Sequence, residues 1–406
     1  MTERDPGRRS PSARGPRPTP GLYVHVPFCS IKCFYCDFTA FSGQRSQVGR
    51  YLSALEREAK VRPGPRPETL YVGGGTPSEL PVEALAELFG ILSRRYGRLE
   101  DLREVTVETS PESLDAEKLD VLRRAGVSRL SIGLQTTEDR LLKAIGRKHG
   151  WEDFRKVYGD AVARGFSPNV DLMLGLPGQS LSGALGSLRQ LIDLGPDHLS
   201  VYALKVEDRT LFSRRKVAVD EDLSREMLEA AIETLARAGY RHYEISNFAR
   251  PGKESVHNTN YWLNGSYIGL GCGAAGHLDG VRYENDDRLP DYCAKIERGE
   301  SPAIMTESLA GKAKAGEDLL LGLRLIDGVL LTPAMRRHFS AELEALRRRG
   351  LVELVRSPRT GTPRLARLTR EGVFLANEAF RSFVAPFDSP DTPVESGGPI
   401  LSSVER

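Results

Sequence analysis

The chain has 406 residues, enough for one large catalytic-type domain plus a smaller appended one, and it can bury a substantial core. Its 57 Lys and Arg nearly balance 55 Asp and Glu, and a net charge of +2 gives no electrostatic footprint for nucleic acid or an anionic membrane surface. Five cysteines, three of them within eight positions, exclude the evenly spaced framework of a secreted disulfide scaffold and point to the reducing cytoplasm, and no apolar run is long enough to cross a bilayer.

Residues 1–20 are rich in Arg and Pro, but the prolines spoil an amphipathic helix and Glu3 and Asp5 are out of character for a transit peptide, so this stretch reads as a disordered tail. Six short β-rich runs follow, at 22–26, 69–72, 104–107, 129–132, 169–174 and 198–203. Each is trailed by a segment of helical periodicity, such as 48–61, 80–96 or 114–125. This alternation predicts βα units around a parallel sheet. Six units are too few for a closed eightfold barrel and suit a partial (β/α)6, TIM-like barrel over 21–240, with ligands at the C-terminal ends of the strands.

After about residue 210 the alternation stops. A helical stretch at 221–238 leads into a Gly- and aromatic-rich connecting region, 241–307. Residues 308–386 read as an α+β unit: helices at 317–325 and 341–350, a strand at 351–355, a turn at 358–362, a strand at 364–368 and a helix at 371–383. That order is similar to a winged helix. Arg347, Arg348 and Arg349 would suit DNA phosphates, but in a near-neutral chain they read better as a solvated helix end whose cations offset the helix dipole, and no nucleic-acid partner is expected. Residues 387–406, with Pro, Ser, Gly and acidic residues and little to bury, read as a second disordered tail.

Cys29, Cys33 and Cys36 lie in one loop directly after the first strand, and thiolate sulfur suits zinc or an iron–sulfur cluster. A structural zinc needs four closed ligands. His25 and Asp37 are the nearby candidates for the fourth, while Cys272 and Cys293 have no partner at ligand spacing. Three thiolates on a four-iron cube would leave one iron open to an exchangeable ligand.

With an aromatic before the last cysteine, the C-x3-C-x2-C loop resembles the radical S-adenosylmethionine (SAM) superfamily. The resemblance implies a [4Fe–4S] cluster on the three cysteines and SAM chelating the open iron. Gly73-Gly74-Gly75-Thr76-Pro77 ends the second strand, where glycines let the backbone approach a ligand. Glu108, Gln135, Arg147 and Asp171 are delivered to the same rim. Taken singly, each would be an ordinary surface residue or helix cap. Together they resemble the oxygen-independent coproporphyrinogen III oxidase family in residue type and order, from Tyr23 to about Arg324. That likeness implies that Tyr23, Gly74, Gly75, Thr76 and Glu108 contact SAM, Gln135 and Asp171 its ribose, Arg147 its carboxylate and Ala203 its adenosine. Tyr35 would stand where the oxidase touches a second SAM.

Two features separate the chain from the oxidase. The oxidase has a further cysteine two residues after the third, where this sequence has Phe38. His257-Asn258-Thr259-Asn260-Tyr261-Trp262 matches the H-N-x-x-Y-W motif of the HemW group of heme chaperones, which the chain resembles more closely. This implies heme as a cofactor, with His257 as candidate heme-binding residue, and transfer to an acceptor, a respiratory heme protein being one candidate. His257 capping a turn and Trp262 filling a seam between domains is the structural alternative. A homodimer, and peripheral membrane contact through the acceptor, stay open, as does the rival function of radical decarboxylation in porphyrin biosynthesis.

Overall fold

A computed structural model describes residues 17–357 and 360–386. The tails expected at 1–20 and 387–406 fall outside the described residues except for 17–20, as do two residues of the expected turn at 358–362.

β1 (Gly21–Val26) is followed by a two-strand parallel ribbon, β2 (Phe28–Cys29) with β3 (Phe41–Ser42). Then come β4 (Thr69–Gly74), β5 (Glu104–Thr109), β6 (Arg129–Gln135), β7 (Ser167–Leu174) and β8 (His198–Ala203). β1 and β4 to β8 pair in parallel in chain order, as the βα alternation requires. Residues 241–307, read from the sequence as a connecting region, extend this same sheet at both edges. β9 (Arg241–Glu244) and β10 (Asn247–Ala249) add antiparallel strands beyond β8. At the other edge β11 (Tyr267–Leu270) lies parallel to β1, aligning Gly21 with Tyr267. β12 (Ala275–Leu278), β13 (Val281–Asn285) and β14 (Ala303–Ser308) then continue the sheet antiparallel. The result is an open, twelve-stranded sheet.

Helices cover its outer face. Helix Val48–Val61 turns Tyr51, Leu52, Leu55 and Ala59 inward at helical spacing, against Leu22, Val24, Leu70 and Val72 of the strands. Helix Leu181–Leu194 starts on Ser180, whose hydroxyl accepts the Gly183 N–H at 3.1 Å. No helix among the described residues is long and apolar enough to cross a membrane.

The C-terminal part has its own core of Leu319, Phe339, Leu343, Val352, Phe380 and Phe383. It comprises helix Gly311–Gly322, β15 (Val329–Leu330), helix Pro333–Arg348, the antiparallel β16 (Val352–Arg356) and β17 (Pro363–Leu368), with β17 central, and two short C-terminal helices, Arg370–Phe374 and Ala376–Arg381, where the sequence predicts one at 371–383. Helix Pro333–Arg348 breaks at Phe339 and begins eight residues before the expected 341, because Thr332 caps it and Pro333 fits the first turn. Of the three arginines at its end, Arg347 pairs with Glu344 and Arg349 with Glu378, a solvated helix end. Trp262 belongs to this second core although its helix docks on the large sheet at β4, so it fills the seam between the two units.

Candidate functional site

Every sequence-predicted site residue except His257 lines one cavity of about 670 Å³ at the C-terminal ends of the parallel strands, a size usual for small-molecule sites. The cysteine loop leaves β1 and is braced against the next strand end. Gly75 N–H donates to the Val26 carbonyl at 2.9 Å and Thr76 N–H to that of Phe28 at 2.8 Å. Phe34 N–H donates to Ile145 O at 3.1 Å, tying the far side of the loop to the helix Asp139–Ala144. All five cysteines are free thiols, and Cys272 and Cys293 are buried in the core rather than turned to the cavity.

The glycines are sterically required. At Gly75 a Cβ would sit 2.5 Å from the Phe28 carbonyl oxygen, and at Gly74, where φ is +112°, it would meet the His25 ring at 2.8 Å. His25 is committed elsewhere: Nε2–H donates to Thr39 O and Nδ1 accepts the Tyr23 hydroxyl, both at 2.8 Å.

Glu108 accepts the Tyr71 hydroxyl at 2.7 Å and the Gly74 N–H at 3.0 Å. Burial raises its carboxyl to about 7, with the Asp171 charge adding and the two hydrogen bonds opposing. Asp171 accepts Asn169 Nδ2 at 2.8 Å and the Ser131 hydroxyl at 3.3 Å, yet burial still pushes its carboxyl up. Gln135 is one of four non-glycine residues with positive φ among those described, at +79°, beside a bulge between β6 and β7. Arg147 donates to Gly133 O and to Cys33 Sγ, the latter at 3.5 Å, and its Nε has no partner. Ala203 ends β8 and is exposed.

These features suit the groups the sequence implies. Three thiols border a glycine-lined approach, and a buried guanidinium keeps one N–H unmatched for an anion. Cys29, Cys33 and Cys36 would hold the cluster. A single structural zinc would need a fourth protein ligand, and His25 is already committed to Thr39 O and the Tyr23 hydroxyl.

His257 lies elsewhere. It is fully buried off the cavity wall; Nδ1 bonds the Thr69 hydroxyl at 2.9 Å and Nε2 the Tyr261 hydroxyl at 2.7 Å. Burial lowers its imidazole to about 4, against the opposing charge of Glu104. As an iron ligand it would have to break one of these bonds, and its position is that of an anchor. The seven-residue helix Val256–Trp262 carrying the motif is held at its N-terminus by Glu104, which accepts Ser255 Oγ and the N–H groups of Val256 and His257 at 2.9–3.1 Å. Asn260 is buried too, accepting the Thr19 N–H at 2.8 Å. Asn258, Tyr261 and Trp262 face the cavity.

Several wall residues escaped the sequence reading. Tyr71 stands in register with Tyr23 across β1 and β4, so the two-residue period of a strand would have found it. Glu244, Asn247 and Arg324 also reach the cavity; the signal for Glu244 was a charge between Tyr243 and Ile245.

The Radical SAM superfamily model matches residues 23–191. The chain is 37% identical over 380 residues to the heme chaperone HemW of Bacillus subtilis, covering 89% of this chain and 98% of that protein. It is 42% identical over 268 residues to HemW of Escherichia coli, covering 64% and 71%. The structure of coproporphyrinogen III oxidase from Escherichia coli, a radical SAM enzyme, superposes with a TM-score of 0.79 at 24% identity over 92% of each chain, a likeness of fold. With identity above a third along nearly the full length of a relative, on a radical SAM fold, the chain belongs to the HemW family of heme chaperones.

Proposed function

We propose that the chain binds heme and passes it to an acceptor protein, while holding a [4Fe–4S] cluster on Cys29, Cys33 and Cys36 with SAM beside it. One observation carries this reading: Phe38, Tyr261 and Trp262 share the wall of the cavity that also contains the three thiols. The oxidase would have a thiol in place of Phe38, whereas here the wall at that point is apolar and suits a porphyrin face.

The remaining assignments follow from chemistry at the strand ends. Gly74, Gly75 and Thr76 offer backbone and hydroxyl groups to the SAM amino group, and Glu108 in its ionised form would pair with that ammonium. Tyr23 packs beside them. Asp171 and Gln135 would take ribose hydroxyls, Ala203 the adenosine, and the unmatched Nε of Arg147 a carboxylate. Tyr35 is placed for a second SAM. When bound, the cluster supplies single electrons at its open iron. Residues 21–240 form the SAM-binding barrel in this reading, and 308–386 cover the cavity. The setting is the cytoplasm, with a respiratory heme protein as acceptor and peripheral membrane contact through it.

The test is an anaerobic heme titration of the cluster-reconstituted protein, followed by absorbance, beside Cys29→Ala. Saturable binding at one equivalent that survives loss of the cluster is expected. Absence of saturable binding overturns the reading. Steady conversion of coproporphyrinogen III to a vinyl product would instead establish the oxidase activity.

A further inference from the structure

The cavity wall includes a polar group that the SAM assignments leave unused. Glu244 at the end of β9, Asn247 on β10, Trp262 and Arg324 all border the cavity, with Phe374 and Phe380 from the C-terminal helices. An isolated bridge pairs Glu244 with Leu325 and so sets Arg324 beside it. The four polar residues are 1%, 5%, 6% and 9% exposed in that order. Oδ1 of Asn247 and Nε1 of Trp262 lack a hydrogen-bond partner, while the Asn247 side chain and the backbone amides at 246 and 247 donate to the Glu244 carboxyl. A buried polar atom left unmatched is costly, and two of them beside one cavity mark a place that a ligand completes.

The chemistry of that ligand can be read from the wall. The Arg324 guanidinium lies 4.3 Å from the centre of the Trp262 ring and 6.0 Å from that of Phe380, a cation between two apolar rings. Burial pushes the Glu244 carboxyl up even though Arg324 pulls the other way, which leaves the arginine as the fixed charge. A ligand carboxylate supplies the acceptor that the Trp262 N–H lacks and pairs with the Arg324 guanidinium.

We propose that Arg324 and the Trp262 indole N–H form a carboxylate anchor for a flat aromatic ligand seated between the barrel and the C-terminal helices. Resting on the heme reading above, the anchored group is a heme propionate. The SAM methionine carboxylate has the same chemistry, and the arms below separate the two.

Cluster-reconstituted full-length protein is titrated anaerobically with hemin, with hemin dimethyl ester and with SAM, for wild type, Arg324→Gln and Trp262→Phe. Wild type should bind hemin about tenfold more tightly than the ester, the size of one charge-assisted pair. Arg324→Gln should lose that preference and Trp262→Phe, which keeps an aromatic face but removes the indole N–H, should lose part of it, with SAM affinity unchanged in both. Equal binding of acid and ester by wild type overturns the anchor while leaving heme binding intact. A preference that survives Arg324→Gln, or a loss that falls on SAM, also overturns it. If neither porphyrin binds, the heme reading fails and the anchor with it. Should Arg324→Gln not fold, the acid-against-ester comparison in wild type decides.

Discussion

At the scale of the residue, Glu108 combines burial with a task that needs charge. Burial raises its carboxyl to about 7, so the protonated form, which cannot pair with an ammonium, becomes dominant as pH falls below that value. SAM affinity, followed by calorimetry, should fall as pH drops from 8 to 6 and be nearly flat over the same range in Glu108→Gln. His257 calls for the opposite expectation from its motif. His257→Ala removes two hydrogen bonds and a stacked contact with Tyr71 at 5.4 Å between ring centres. It should lower stability to urea by roughly 1–3 kcal/mol, while the absorbance bands of bound heme keep their positions. The sequence shows that a histidine, a tyrosine and a tryptophan travel together. Which of them turns inward depends on the docking of one short helix on Glu104, across 152 positions of chain, and no local pattern records that.

At the scale of the element, the cysteine loop is only as ordered as the strand end beneath it. Gly75→Ala forces a Cβ into the Phe28 backbone, which has no side-chain freedom with which to yield. Iron and sulfide content after reconstitution should fall by half or more while far-UV circular dichroism changes little. The six parallel strands and the loop were legible from the sequence because βα alternation and cysteine spacing are local. β11 was not: its place beside β1 depends on a pairing of Gly21 with Tyr267. The start of helix Pro333–Arg348 was marked by Thr332-Pro333, but the polar run Arg336-Arg337-His338 interrupts the apolar period at the bend.

At the scale of the whole molecule, the C-terminal unit meets the barrel through an apolar seam at Trp262 and exposed ion pairs on its rim. Arg225 forks onto Glu371 at 2.5 and 3.0 Å, with its guanidinium 4.9 Å from the centre of the Phe374 ring, and Arg370 reaches Glu233 at 2.8 Å. Such pairs add little to stability and weaken with salt. Hydrogen exchange over 370–381 should therefore quicken in Arg225→Ala, and in wild type at 0.5 M against about 0.05 M salt, with the melting temperature almost unmoved. If exchange there tracks global unfolding in every case, the unit does not move by itself.

The pairing of β1 with β11 also sets a timetable. During synthesis the strand that carries the cysteine loop gains its neighbour β4 early, but its other edge stays bare until the ribosome has added Leu270. Contacts so distant in sequence form slowly, and an unpaired strand edge invites pairing with another chain. The nascent protein passes through a period in which the strand leading into the cysteine loop has one bare edge, so this risk of misassembly falls before the cavity is complete.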